Sequence, residues 1–219
     1  MTEQRRVLPR TQVRRLPDKQ VHDRDALDRL LDAAMVGHVA AVDDGQPFVL
    51  PVAVARDGDR VLFHGSTASR LFRALEAGAP TCLTVTIVDG LVLARSQFES
   101  SMHYRSAMVL GRCEVLDEVQ KAAALLALTE HLMPGRTADA RAASPKELRA
   151  TMVLALPLVE WSVKVSDGPP DDADEDLDRP VWAGTVPLQR RWGAPVPAPD
   201  MRVDADIPGY VREWSGDRA

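Results

Sequence analysis

The sequence predicts a mainly β fold, a small antiparallel barrel with flanking helices. Three observations carry that expectation. Short apolar runs recur along the chain, and the clearest of them, "TCLTVTIV", alternates with period two: Leu83, Val85 and Ile87 face one way, Cys82, Thr84 and Thr86 the other. Tight polar turns such as "DDGQ" and "RDGD" separate these runs, as in antiparallel hairpins. Most gaps between runs are too short for the crossover helices that a parallel, doubly wound sheet needs.

Taken in order, the elements support this. Residues 1–22 are basic and polar with prolines at 9 and 17, and read as an extended basic arm. Asp23 or Asp25 can cap a first helix, "DALDRLLDAAM", whose stripe is Ala26, Leu27, Leu30, Leu31 and Ala34. The strands "HVAAV", "PFVLPVAVA" and "RVLFH" follow, then a helix over Thr67–Ala77 closed by Gly78. "TCLTVTIV" and "LVLARSQF" flank a "DG" turn. "YRSAMVLGRCEVL" is a long strand with Gly111 as a bulge or close-approach site. Helical "EVQKAAALLALTEHLM" ends at Pro134-Gly135, and a short helix starts at Ser144-Pro145, with Glu147 completing a capping box. "TMVLALPLVEWSVKVS" is the last long strand, with a break at Pro157. Residues 167–180 are an acidic, proline-rich solvated loop, and 181–219 return to the barrel through "VWAGTVPL" before a proline-rich tail. The main domain is therefore residues 23–166.

Bulk composition narrows the function. The chain has 219 residues, 45% hydrophobic but only 5% aromatic, so its core must be aliphatic. A net charge of −5 argues against a dedicated nucleic-acid binder. Cys82 and Cys113 are too few for a disulfide scaffold or a cysteine metal cluster and read as buried free thiols. The N-terminus has no apolar signal core, and no run is long and apolar enough to span a membrane, which makes a cytoplasmic protein the expectation. Nucleotide-loop, zincin and nucleophile-elbow motifs are absent. The five histidines (22, 38, 64, 103 and 131) lack metal spacing, and Ser66 and Ser69 have no base that the sequence places beside them.

Three polar clusters remain. "FHGSTASRLFRAL" takes a strand into a helix through Gly65, Ser66, Thr67 and Ser69, with Arg70 and Arg73 on the helix. Unpaired N–H groups at a helix start, the helix dipole and bidentate guanidinium donors together suit a phosphate. A Ser or Thr cap beside exposed arginines suits the same residues, and the stretch alone leaves both readings open. "SMHYRSAMVLGR" brings Tyr104, Arg105 and Ser106 into a strand, to meet a ligand or simply to begin an edge. Trp161, Lys164 and Trp182 form the third group, with Trp161 better suited to core packing.

At these clusters the chain resembles the flavin-nucleotide-binding branch of the pyridoxamine 5'-phosphate oxidase-like superfamily, including its nitroimidazole-resistance-related members. The likeness runs in order through "GQPFVLPVAVARDGDRVLFHGSTASR", "CLTVTIVDGLVLARS", "SMHYRSAMVLGR", "LTEHLMPGR", "ELRAT" and "VWAGTVPL". It implies the FMN-binding split barrel, a six-stranded antiparallel Greek-key barrel with flanking helices, over residues 23–166. It also implies a homodimer with flavin sites at the subunit interface. Phe63, His64, Ser66, Ser69 and Arg70 would line the phosphate end, with Ser69 and Arg70 at the phosphate itself. Pro51, Val52, Ala53 and Val54 would pass along the ring system. Tyr104, Arg105 and Ser106 would reach the flavin from the partner, with Lys164 and Trp182 at the rim.

The likeness has two gaps. Ser69-Arg70-Leu71 stands where the oxidase has Ser-Arg-Lys, although Arg73 lies one turn on. "VWAGTVPLQRRWG" offers no equivalent of the arginine–histidine pair that holds pyridoxal phosphate. The expected function is an FMN-binding flavoprotein, an NAD(P)H-linked oxidoreductase of a small planar substrate but not a true pyridoxamine 5'-phosphate oxidase. The alternative is a non-catalytic flavin-, deazaflavin- or haem-binding protein with His64 or His103 as iron ligand. The sequence names no catalytic residue, and no metal, nucleic acid or membrane partner is expected.

Overall fold

The computed structural model describes residues 9–214. Expectations for residues 1–8 and 215–219 lie outside the described residues. The described residues form ten strands and five α-helices. The strands are β1 (Gln20–Val21), β2 (Val36–Asp43), β3 (Gln46–Asp57), β4 (Arg60–Ser66), β5 (Thr81–Leu93), β6 (Ser101–Gly111), β7 (Glu114–Val115), β8 (Thr151–Pro157), β9 (Glu160–Ser166) and β10 (Gly184–Pro187). The helices are α1 (Arg24–Ala33), α2 (Arg70–Glu76), α3 (Glu118–Leu132), α4 (Pro145–Ala150) and α5 (Gly209–Trp214).

The fold class departs from the expectation. All strands join one antiparallel sheet in the order β1-β9-β6-β5-β2-β3-β4-β8-β7, with β10 also on β5, and the path does not close. The protein is a mixed α/β fold with a large open sheet, not a closed six-stranded barrel and not mainly β. Hairpin spacing specifies antiparallel neighbours, and it does so equally in an open sheet and a closed one. Closure depends on how long strands coil and whether the end strands meet, and here short β1 and β7 occupy the two ends.

Local chemistry explains the elements. Asp23 caps α1 by accepting from the Asp25 N–H, and Asp117 and Ser144 build capping boxes on α3 and α4. Asp44 and Gly45 both have positive φ, as a two-residue type I′ turn between β2 and β3 requires. The "DG" at 89–90 is not a turn. Strand β5 runs straight through it with a register shift between Val88 and Gly90, and the glycine serves close approach, since a Cβ at Gly90 would meet the Val186 carbonyl of β10 at 2.7 Å. Pro157 does end β8, and the chain then crosses from β4 to a new neighbour, β6, as β9.

Two apolar layers hold the sheet. Leu27, Leu30 and Leu31 of α1 and Leu71, Phe72 and Leu75 of α2 pack with Val39, Val61, Phe63, Leu83, Val85 and Leu154 on one face. On the other, Leu116 with Ala124 and Leu128 of α3 covers Ala55, Leu62, Val153 and Ala155. Strands β4 and β8 are buried from both sides, so their apolar runs are continuous instead of alternating.

Candidate functional site

The site begins where β3 and β4 part. Their pairing runs from Asp57↔Arg60 to Val54↔Phe63 and then stops. Beyond it β3 continues along β2, from Ala53 to Gln46, while β4 continues along β8 to Ser66. The β3 edge over 46–53 is thus left without a strand partner, and it faces the loop that leads from β4 into α2.

In that loop Ser66 Oγ accepts from the Ala68 N–H at 3.1 Å, and the Thr67 N–H donates to the Ala150 carbonyl at 3.1 Å. Ser69 is the N-cap of α2, yet its hydroxyl makes no capping bond. Arg73 does not stand in for the missing cation: its guanidinium donates back to the Thr67 and Ala68 carbonyls, at 3.2 Å each. Arg70 remains exposed. It lies over the Phe48 ring, 4.2 Å from the centroid, with Asp43 at 3.7 Å. Gly65 serves the core. A Cβ there would lie 2.4 Å from Phe72, whose ring packs edge-on against Phe63, with centroids 5.8 Å apart.

Residues paired across a ladder share a face, and this sorts the expected residues. One rung across the sheet is Pro51, His38, Thr84, Met108 and Ser162. A neighbouring rung is Thr86, Ser106, Lys164 and Gln20, and Tyr104 follows beside Val88 and Ser166. By strand alternation Ala53, His64 and Ser66 lie on this same face, which α3 covers over β4 and β8 and which is open over β2, β5 and β6. Val52, Val54, Phe63 and Arg105 point the other way. Val54 and Phe63 are core residues, so only their backbone can reach a ligand. Arg105 makes a bidentate pair with Asp89, 2.8 Å at both bonds, whose hydrogen bonds hold the Asp89 carboxyl below the usual carboxylate range. Trp182 is exposed just before β10, with its ring lying against Gly184.

Ser106 and Lys164 line an open recess of about 280 Å³ together with Thr84, Thr86, Met108 and Ser162. The threonines and Ser162 are additions to the expected set. The signal for the threonines was the polar side of "TCLTVTIV", visible in the alternation but carrying no motif.

The histidines separate by their bonds. His103 Nε2 lies 2.7 Å from the Gly168 carbonyl and His131 Nε2 lies 2.7 Å from the Ala34 carbonyl, so both nitrogens donate there. His64 has no such hydrogen bond among the described residues; its side chain is solvent-exposed, and only partial desolvation by its neighbours lowers its imidazole below the ordinary histidine value. It is therefore neutral near pH 7, the state in which a ring nitrogen ligates iron. No group of three or more metal-ligating side chains occurs among the described residues. The cysteines are free, and burial pushes the Cys113 thiol up to about 12, so neither is an activated nucleophile.

The acidic loop is not simply solvated. The Asp172 side chain is 1% exposed, and it accepts from the Arg95 N–H at 2.6 Å and from the Arg95 guanidinium at 2.9 Å.

The sequence profile of the pyridoxamine 5'-phosphate oxidase family matches residues 23–165. No curated protein matches the chain. Among solved structures, the FAD and haem binding protein from Mycobacterium smegmatis is 48% identical, with 90% of this chain and 98% of that one covered and a TM-score of 0.87. The flavocytochrome Anf3 from Azotobacter vinelandii is 40% identical over 94% and 96%, with a TM-score of 0.88. A candidate 5-nitroimidazole antibiotic resistance protein from Bacteroides thetaiotaomicron is 24% identical over 67% and 86%, with a TM-score of 0.56, a likeness of fold. The chain belongs to the pyridoxamine 5'-phosphate oxidase family.

Proposed function

We propose that this family member is a flavin-binding redox protein that also takes up haem. The observation that carries the flavin reading is the split between β3 and β4, where an unpaired backbone edge faces an uncapped helix start with one exposed arginine. Ser69, Arg70 and the first amides of α2 would hold the phosphate that FMN and FAD share. The free edge at Pro51–Ala53 would present N–H and C=O groups to the polar rim of the ring system. Haem uptake is supported by the two relatives above and by His64, a neutral imidazole with no other partner on the face that carries Pro51 and Ala53. When bound, a flavin supplies hydride and one-electron transfer and a haem supplies one-electron transfer. The chain's own residues bind, orient and set the local charge.

Two parts of this proposal reach further. The uncovered face of β2, β5 and β6 would pack on a second copy, so that Ser106 and Lys164 of one protomer complete the other's site. NAD(P)H-linked reduction of a small planar molecule is the second reading of the activity. It is favoured by the open strip beside Pro51 and Ala53, on which such a molecule can stack.

Absorbance of the purified protein, reconstituted with FMN or FAD and then haem, tests the proposal. The two bands of oxidised flavin and a Soret band are expected, and His64→Ala should lose the Soret band while keeping the flavin bands. A protein that takes up neither flavin nor haem on titration would overturn it.

A further inference from the structure

The last part of the chain is held at both ends and bare in between. Strand β10 pairs with β5, and the Leu188 N–H donates to the Asp89 carbonyl at 2.9 Å. Some twenty residues later Tyr210 closes the other end. Its hydroxyl donates to the Asp139 carboxylate, at 2.9 Å from the nearer oxygen, and Arg136 donates to it at 3.2 Å. Its ring fills the place where Gly135 has no Cβ and stacks at a tilt on Trp214, 5.5 Å between centroids. Between these anchors residues 188–208 form no helix or strand. Pro195, Pro197, Pro199 and Pro208 stiffen this span. Leu188, Trp192, Val196, Met201, Val203 and Ile207 are all exposed, Val196 at 87% and Val203 at 74%.

The chain as a whole also shows too much surface for a compact monomer. It exposes 14907 Å², whereas a compact monomer of 24.0 kDa exposes about 9,900 Å² by the usual mass scaling. The thirteen residues outside the described range, even at the unfolded-chain limit, would hold only about 2,000 Å² of that excess. The remainder exceeds the roughly 800 Å² per partner that a standard interface removes. The open sheet face adds Val36, Val42, Val49, Leu91 and Met102 to the exposed apolar residues.

We infer that residues 188–208 are an exchange arm, which lies on the open sheet face of a second copy while that copy's arm lies on the first. Two-fold exchange covers both arms and both faces with the same contacts, as an isologous interface requires. Anchoring at Leu188 and Tyr210 and the prolines between them lower the ordering cost of docking. This rests on the homodimer reading above and adds to it the segment that makes the contact.

Sedimentation of the full chain across a concentration series tests it, with Val196→Asp/Val203→Asp as the variant. Both side chains are solvent-exposed in a single chain, so thermal melting at high dilution should be unchanged. The dimer dissociation constant should rise at least 100-fold. Val159→Asp, in an 86% exposed position on the β8–β9 turn, should leave it unchanged. A double variant that dimerises like the parent would overturn the arm and leave the homodimer standing. A parent chain that sediments as a monomer would overturn both.

Discussion

The loop from β4 into α2 and the corner where the acidic loop meets β5 and β6 are both rich in polar groups, and they use them in opposite ways. At the corner the groups are spent on the fold: Asp172 holds Arg95 by backbone and side chain, His103 holds Gly168, and Arg105 holds Asp89. At the loop Arg73 and Ser66 are spent in the same way, but Ser69 does not cap its helix and Arg70 lies on the surface. A polar group already paired inside the protein must lose that bond before it can serve a ligand. The difference supports the proposal that Ser69 and Arg70, and not the more numerous groups at the corner, serve a phosphate, since Arg70 gives up only a long ion pair with Asp43 and its place over Phe48.

The comparison can be broken most severely at the corner. Asp172→Ala should cost about 3 kcal/mol, because it leaves the Arg95 N–H and guanidinium without their buried acceptor. In a chain of this length that lowers Tm by roughly 6–12 °C in a calorimetric scan, and flavin affinity should change little. A melting point equal to the parent's would show that the corner is not built on this carboxylate.

The opposite profile is expected at the loop. Arg70→Ala should leave Tm almost unchanged, since the side chain is exposed and its pair with Asp43 is long. Flavin affinity by fluorescence titration should fall about 10-fold or more through loss of a charged hydrogen bond. Arg56 is a poor control for this variant. It makes two 2.8 Å bonds to Asp32, so its removal disturbs the contact of β3 with α1.

The smallest effect concerns His64. Its side chain is exposed and its folded-state value is lowered only by partial desolvation, so the unfolded chain binds the proton slightly more readily. Stability is therefore full above the ordinary histidine value, about 6.5, and declines as pH falls through it, until the folded group also titrates. Thermal melts between pH 7.5 and 5.5 should show a small decline that His64→Gln reduces. An identical pH dependence in the variant would mean that His64 is not desolvated in the folded protein.

Much of this was legible in the sequence, and the limits have physical causes. The helix starts at Asp23 and Ser144, the β2–β3 turn and the two faces of β5 follow from local chemistry, and all appear where the residues imply them. The "DG" at 89–90 has the chemistry of a turn but serves the approach of β10, almost a hundred residues later. Gly65 reads as loop freedom and is required by Phe72. The acidic loop reads as solvated, and only the folded chain shows that Arg95 waits for one of its many aspartates.

What the sequence alone determined is the β2–β3 and β3–β4 hairpins, the caps at Asp23 and Ser144, the family and the polar loop at Ser66–Arg70, because each depends on neighbours in the chain or on ordered blocks of residues. The tertiary structure decided what depends on distant contacts. It left the sheet open, set Arg105 against Asp89 on the face away from Ser106, turned Arg73 back on its own loop and parted β3 from β4. Alternation along a strand can be read one residue at a time, whereas whether two strands stay together depends on what each meets on its other edge.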